Sequence, residues 1–184
     1  MMRRAGNVGM MMTLALLAAG CATESKREAP VFTASGRDVY DSSFYDNGQK
    51  KIERTLSFGI PNGVTTLWYP NGQTMSVANY VQGLKNGVET NWWENGKIMS
   101  EIAYHVGKRN GSTKEYGQDG KLRAEYTYVL DSLEGPFFAW WDNGQKKCEG
   151  IYKKGFRIGL YKEWDSQGKL IVDHEYVLPP GVKP

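Results

Sequence analysis

Four acidic side chains recur at a constant interval of 24 residues in this sequence: Glu101, Glu125, Glu149 and Asp173. If they lie on alternate strands of one sheet, neighbouring carboxylates would be about 9.5 Å apart, at two strand spacings. That distance is close to the roughly 6.5–9.5 Å between the two carboxylates of an inverting glycosidase. However, every repeat supplies the same residue, and a single sheet offers no closed cleft. The pattern therefore predicts a solvated ladder of charges rather than a catalytic pair.

The two histidines and the second cysteine offer no better site for chemistry. His105 and His174 are expected on opposite strand faces and nearly three repeats apart, too far to share a metal ion. Cys148 falls in a column of mostly small residues, and the pattern places no base beside it to activate the thiol. We therefore predict no catalytic residue, no metal site and no cofactor, and we do not expect the chain to be an enzyme.

The charge balance excludes one large class of partner. The formal net charge is +3, and removing Arg3 and Arg4 with the leader described below leaves +1. A near-neutral chain lacks the basic patch that nucleic-acid binding requires, so we predict no nucleic-acid partner. Apolar and charged fractions of 40% and 23% are typical of a folded domain rather than a disordered chain.

The first 20 residues have the pattern of an export signal. Two arginines give a positive start, and residues 8–19 form an uncharged apolar run that is too short to span a bilayer. The segment 17–21, Leu-Ala-Ala-Gly-Cys, resembles the lipobox of bacterial lipoproteins, with Ala18 where that family most often has Leu. The resemblance implies that Cys21 receives a lipid and becomes the N-terminus. An ordinary cleaved signal followed by a chance cysteine is the alternative.

The lipid on Cys21 would attach the protein to a membrane outside the cytoplasm. Ala22 follows the cysteine, and by the sorting habit of lipoproteins this residue favours the outer membrane if the host has two membranes. Residues 21–40 are small and polar, which predicts a flexible tether behind the lipidated cysteine. Residues 41–178 are predicted as the folded domain and 179–184 as a C-terminal tail.

A 24-residue repeat organises the folded domain. The glycines that mark it form one column at Gly48, Gly72, Gly96, Gly120, Gly144 and Gly168 and another at Gly63, Gly87, Gly111, Gly135 and Gly159. Two aromatic columns keep the same register, at Tyr80, Tyr104, Tyr128, Tyr152 and Tyr176 and at Phe44, Trp68, Trp92, Tyr116, Trp140 and Trp164. Columns that stay in phase without an insertion predict a tandem repeat architecture.

Each repeat contains two turn signals. Segments such as Glu94-Asn95-Gly96 predict a three-residue hairpin loop, in which a type I turn is followed by a glycine in the left-handed region. Residues 83–87, Gly-Leu-Lys-Asn-Gly, predict a five-residue loop. The runs between the loops are rich in Tyr, Trp, Val and Thr, as strands are. We therefore predict an all-β fold of tandem antiparallel β-hairpins that form one elongated, twisted meander sheet.

Strand alternation sorts the side chains between two faces. The three-residue loop is expected to align even positions with even positions, so that the Tyr and Trp columns share the face that forms the core or a groove. The rings expected on the opposite, more exposed face are Tyr45, Tyr69, Trp93 and Trp141. We predict that these rings contact a partner or a glycan. If both faces prove to be core, the alternative surface lies in the loops around Lys85, Arg109 and Arg157.

The string Tyr80-x-x-Gly83-x-x-Asn86-Gly87 resembles the MORN repeat, and the added turn at 68–72 is similar to the bacterial MORN-variant group. The resemblance covers about 45 to 178. Ordinary MORN repeats have a second glycine after Asn-Gly, which Val88 replaces here. The resemblance implies a repeat scaffold, and many members of the variant group are named as antitoxins. An exported lipoprotein would lie outside the cytoplasm, where a cytoplasmic antitoxin could not act.

These observations predict a surface-facing or periplasmic lipoprotein that binds a partner along its sheet, because stacked repeats present a long, regular surface. The expected partner is a protein or an envelope polysaccharide. Two alternatives stay open: an antitoxin or immunity-type inhibitor of one toxin, and a structural spacer in the envelope.

Overall fold

The computed structural model describes residues 31–32 and 38–181, and the strands in this part of the chain form one antiparallel sheet. The strands are β1 (Val31–Phe32), β2 (Asp38–Phe44), β3 (Lys50–Ser57), β4 (Ile60–Trp68), β5 (Thr74–Val81), β6 (Leu84–Lys85), β7 (Gly87–Trp92), β8 (Ile98–His105), β9 (Lys108–Tyr116), β10 (Leu122–Val129), β11 (Ser132–Leu133), β12 (Gly135–Trp140), β13 (Lys146–Lys153), β14 (Phe156–Trp164) and β15 (Leu170–Tyr176).

The sheet is a meander, because each strand pairs with its neighbours in sequence. The short strands β6 and β11 pair with β5 and β10, ahead of the longer strands β7 and β12. The predicted all-β architecture of tandem antiparallel hairpins is therefore confirmed. No helix in the described residues is long and apolar enough to cross a membrane.

The three-residue loops form as predicted. At the loop that ends in Gly96, the Trp93 N–H donates to the Lys97 carbonyl at 2.8 Å, and the Gly96 N–H donates to the Trp93 carbonyl at 2.9 Å. The glycines that close the six loops of this kind have φ between 81° and 87°, a region that costs an L side chain steric energy. The Asn-Gly and Asp-Gly signals in the sequence are thus explained by backbone geometry.

The predicted five-residue loop at 83–87 is wrong. The hairpin turns instead at two residues, Gln82 with φ of 49° and Gly83 with φ of 81°, and a short strand follows at once. Two successive residues with positive φ form the type I′ turn, whose twist matches that of the paired strands. The sequence concealed this turn because its first residue is not glycine in any repeat: Phe58, Gln82, Val106, Leu130 and Lys154.

The predicted alignment of the two strand faces is also wrong, because a β-bulge interrupts the pairing. Leu67 pairs with Ser76, whereas Trp68 pairs with Thr74, so Met75 is an extra residue between the two pairs. The Trp column therefore points away from the face that carries Ser76. The same shift of one residue occurs beside each three-residue loop.

The side chains that the sheet buries share one face, which we call the core face. They are Ser76, Ala78, Ser100, Thr113, Ala124, Phe137 and Tyr161. Cross-strand pairing continues this face from strand to strand, for example from Ser100 to Glu115 and on to Ala124. Among the described residues only four of the buried side chains are hydrophobic, so the sheet is one layer with a narrow core.

Glycine opposite tyrosine shapes the core face. Tyr80 pairs with Gly63, and Tyr104 pairs with Gly87, so each ring lies opposite a residue that has no side chain. Gly150 accommodates a buried ring in a different way. A Cβ atom at Gly150 would lie 2.7 Å from Cε1 of Phe137, so the buried ring requires glycine there. Both arrangements let a single layer bury rings that it could not otherwise cover.

A proline takes the place of a turn glycine after β15. Pro179 stands four repeats after Gly83, which is the second residue of a type I′ turn. The proline ring fixes φ near −65°, so this residue cannot adopt the positive φ that such a turn requires. Among the described residues, which continue to 181, β15 is the last strand.

We predict that Val106→Asn stabilises the protein. Val106 has φ of 48°, where a β-branched residue is disfavoured and Asn is better tolerated. The substitution should raise the free energy of unfolding by about 1 kcal/mol, measured by urea denaturation. Val88 is the matched control, because it is equally exposed (58% against 57%) but lies within a strand. Val88→Asn should be neutral or destabilising, and equal effects at both positions would contradict the prediction.

Candidate functional site

The four rings predicted to contact a partner join successive repeats. Each donates its ring N–H or hydroxyl to the backbone carbonyl of the residue 23 positions later in the chain. The bonds run from Tyr45 to Trp68 (2.8 Å), Tyr69 to Trp92 (2.8 Å), Trp93 to Tyr116 (3.1 Å) and Trp141 to Trp164 (3.0 Å). The rings lie opposite the Trp column, as expected, but this places them on the core face. A role in partner contact stays a prediction.

An asparagine in four of the six three-residue loops adds a second bond between repeats. The Asn95 Nδ2 amide donates to the Gln118 carbonyl at 2.9 Å, and its Oδ1 atom accepts the Lys97 N–H at 3.0 Å. The equivalent donors to the next loop are Asn47, Asn71 and Asn143. We call the aromatic bond and the asparagine bond together the inter-repeat staple.

One joint, meaning the junction between two successive repeats, lacks both parts of the staple. Gly117 replaces the aromatic donor and Asp119 replaces the asparagine. The Arg123 side chain fills the vacant place, because a Cβ atom at Gly117 would lie 2.8 Å from its Nε atom. Arg123 forms ion pairs with Asp119 at 2.8 Å and with Asp142 at 3.2 Å. At this joint, which we call the ionic joint, ion pairs replace the aromatic and asparagine bonds of the staple.

The opposite edge of the sheet, formed by the type I′ turns, is also bonded from repeat to repeat. The Gly83 N–H donates to the Pro61 carbonyl at 2.7 Å, and the Gly107 N–H donates to the Lys85 carbonyl at 2.8 Å. Exposed apolar side chains project from these turns, including Phe58, which is 73% exposed. Sequence reasoning missed them because the turns themselves were not recognised.

The cations of the alternative surface are already engaged. Lys85 pairs with Glu89 and lies over the Tyr104 ring, 4.9 Å from its centroid. Arg109 pairs with Asp131 at 3.2 Å. Among the described residues Arg157 has no ion pair. It covers the core instead, with its guanidinium 4.6 Å from the Tyr161 ring centroid and its Nε bonded to the Tyr152 hydroxyl at 3.2 Å.

The face opposite the core, which we call the ladder face, carries the Trp column. Its rings are half-buried and form an aromatic ladder with one rung in each repeat: Phe44, Trp68, Trp92, Tyr116, Trp140 and Trp164. The rungs stand two strands apart, which corresponds to about 9.5 Å. The bulge beside each loop, which the sequence did not reveal, puts the rings on this side of the sheet.

The acidic column lies on the same face, beside the ladder. Glu53 accepts a hydrogen bond from Lys50 at 2.9 Å, and the Lys50 ammonium lies 5.4 Å from the Trp68 ring centroid. Glu101 accepts the Tyr116 hydroxyl at 2.7 Å. Burial, reinforced by this bond, raises the pKa of Tyr116 to about 12, so the phenol stays a donor at neutral pH. The carboxylates thus act as hydrogen-bond acceptors along the ladder.

The remaining candidates for chemistry lie apart from one another. His105 is exposed, whereas His174 packs edge-on against Tyr176 with ring centroids 4.5 Å apart. Cys148 is half-buried on the core face, and burial raises the pKa of its thiol. No group of three or more acidic, His or Cys side chains within the described ranges could hold a metal ion. Cys21 lies outside the described residues.

Comparison with known families gives one match. Four segments of the chain, residues 61–82, 85–105, 109–129 and 133–154, match a family model described as MORN repeat variant. The segments follow the observed 24-residue period, and each includes one three-residue loop. No curated protein sequence matches the chain.

We predict that Tyr69→Phe destabilises the protein by about 1 kcal/mol, because it removes only the hydroxyl that bonds to the next repeat. The measurement is the free energy of unfolding from urea denaturation. Tyr40→Phe is the matched control, because Tyr40 is a strand tyrosine that is 49% exposed. If the two variants lose equal stability, the hydroxyl of Tyr69 does not contribute to the staple.

Proposed function

We propose that this protein is a non-catalytic binding module, because four segments of its chain match the MORN repeat variant family. One observation carries the proposal. Every repeat presents an aromatic rung in the same place on the ladder face, and most repeats place a carboxylate beside it, so the molecule offers a repeated surface. Solenoid-like repeats generally use such extended surfaces for binding.

The ladder face is the surface that we propose for partner contact. The core face carries the buried side chains of the sheet, and its aromatic donors are used in the staple. The ladder face also carries half-buried rings, and these stand next to carboxylates and lysines. Half-buried aromatic residues are the side chains that contribute most to interfaces.

We further propose that the module is anchored to a membrane through a lipid on Cys21. The support is the leader at 1–20 and its lipobox-like end. Residues 21–40 would then connect the anchor to the domain, and Ala22 favours the outer membrane in a diderm host.

Cys21→Ser is expected to abolish labelling by radioactive palmitate and to release the protein from the membrane fraction. The reason is that the proposed signal attaches the diacylglyceryl group to this thiol as a thioether, which serine cannot form. Cys148→Ser is the control and should leave labelling unchanged. Equal labelling of the wild type and Cys21→Ser would disprove the anchor.

A photo-crosslinking amino acid in place of Thr90 should join the full chain to a partner macromolecule in intact cells. Thr90 lies on the ladder face, opposite Glu101. The same amino acid at Glu94, in an exposed loop, is the control and should give little product. If the product at Thr90 is a toxin, the module is an immunity-type inhibitor. If neither position gives a product, the binding function is wrong and a structural spacer is favoured.

A further inference from the structure

The aromatic ladder has the geometry of a repeating binding surface. Its rungs are separated by two strands, about 9.5 Å, and run across the strands along the length of the sheet. The spacing is constant because the 24-residue period contains no insertion between Phe44 and Trp164. A ligand that follows the ladder must therefore present an equivalent chemical group at the same interval.

The tryptophan rungs differ in whether a cation lies over the ring. Lys50 lies over Trp68, and Lys146 lies over Trp164, 5.7 Å from the ring centroid. In the part of the chain that the structure describes, no cation lies over Trp92 or Trp140. Their indole rings are half-buried and can offer a flat apolar surface to a ligand.

Polar groups beside the rings match hydroxyl-rich ligands. Thr90 pairs with Glu101 across β7 and β8, so a hydroxyl and a carboxylate lie together on the ladder face next to Trp92. Glu125 pairs with Lys114 in the next repeat. Carboxylates accept hydrogen bonds from hydroxyl groups, and threonine hydroxyls can both donate and accept.

The charge balance of the ladder face indicates which kind of polymer it can bind. Carboxylates from the acidic column alternate with lysines such as Lys114 and Lys162, which lie opposite Glu125 and Asp173. The two signs nearly balance, with a small excess of acid. Such a face does not complement a strongly anionic chain, and a neutral polymer is favoured.

We propose that the aromatic ladder binds a linear, neutral, β-linked polysaccharide that lies along the sheet. In such a chain every second sugar presents the same face, so the repeating unit is a disaccharide, whose length is comparable to the spacing of the rungs. The C–H face of a sugar ring packs on indole, while its hydroxyls bond to the neighbouring Glu and Thr side chains. This inference rests on the proposed binding function and assigns its ligand class.

The test uses the purified full chain, β-1,4-linked N-acetylglucosamine hexasaccharide and insoluble chitin, the neutral polymer of the same sugar. The wild type should sediment with chitin, and the hexasaccharide should bind more tightly than the disaccharide because it spans more rungs. Trp92→Leu and Trp140→Leu should each weaken binding by about 30-fold, the loss expected for a central interface ring. Phe156→Ala is the matched control, an aromatic residue on the turn edge that is 44% exposed, and its affinity should stay within about twofold of wild type.

A second measurement, made on the wild type, tests the proposal even if the variants fail to fold. Acrylamide quenching of tryptophan fluorescence in the wild type should decrease when the hexasaccharide is added, because the sugar shields the exposed rungs. Unchanged quenching, or full affinity in folded Trp92→Leu and Trp140→Leu variants, would overturn the ladder assignment. If the wild type binds neither glycan but crosslinks to a protein through Thr90, the polysaccharide inference fails and the binding function stands. If it also gives no crosslink, both fail.

Discussion

A single layer of sheet cannot bury enough apolar surface to hold itself together, and the rest of this structure follows from that constraint. Among the described residues, Ala78, Ala124, Phe137 and Tyr161 are the buried hydrophobic side chains. Hydrogen bonds between neighbouring repeats supplement this narrow core. They run at a fixed sequence offset along both edges, through the staple at the three-residue loops and through backbone N–H groups at the type I′ turns. An insertion inside a repeat would break this offset, which explains why the period is strict.

The same constraint gives the two faces of the sheet different roles. The core face carries the buried side chains and the staple, in which the Trp93 indole bonds to the Tyr116 carbonyl. On the ladder face the rings stay half-buried, and carboxylates form local pairs such as Glu149 with Lys146. The face that stabilises the repeat is thus different from the face that we assign to binding. Substitutions on the two faces can therefore affect stability and binding separately.

The period, the all-β class and the three-residue loops could be predicted from sequence, because each depends on a residue type with one strong conformational preference. Gly96 after Asn95 is an example, since the turn requires positive φ at that position. The type I′ turns could not be predicted in the same way. Gln82 and Val106 adopt positive φ against their own preference because the strands on either side hold the turn in register.

The assignment of faces failed for a different physical reason. An extra residue such as Met75 leaves no compositional signal, yet it reverses the face of every side chain beyond it. The Trp column was therefore placed in the core and the staple rings outside it. The columns on each strand were identified correctly, but which columns of the two hairpin strands share a face depends on one bulge. The candidate binding residues changed from Trp93 and Trp141 to Trp92 and Trp140 for this reason alone.

The ionic joint has a mechanical consequence for the sheet as a whole. The staple bonds of the neighbouring joints form between neutral groups and are hardly weakened by dissolved ions, whereas the attraction of Arg123 for Asp119 and Asp142 is screened as salt increases. We therefore expect the ionic joint to be the one that loosens first at high salt concentration. The backbone pairing of β10 with β12 continues across it, so the sheet stays continuous there.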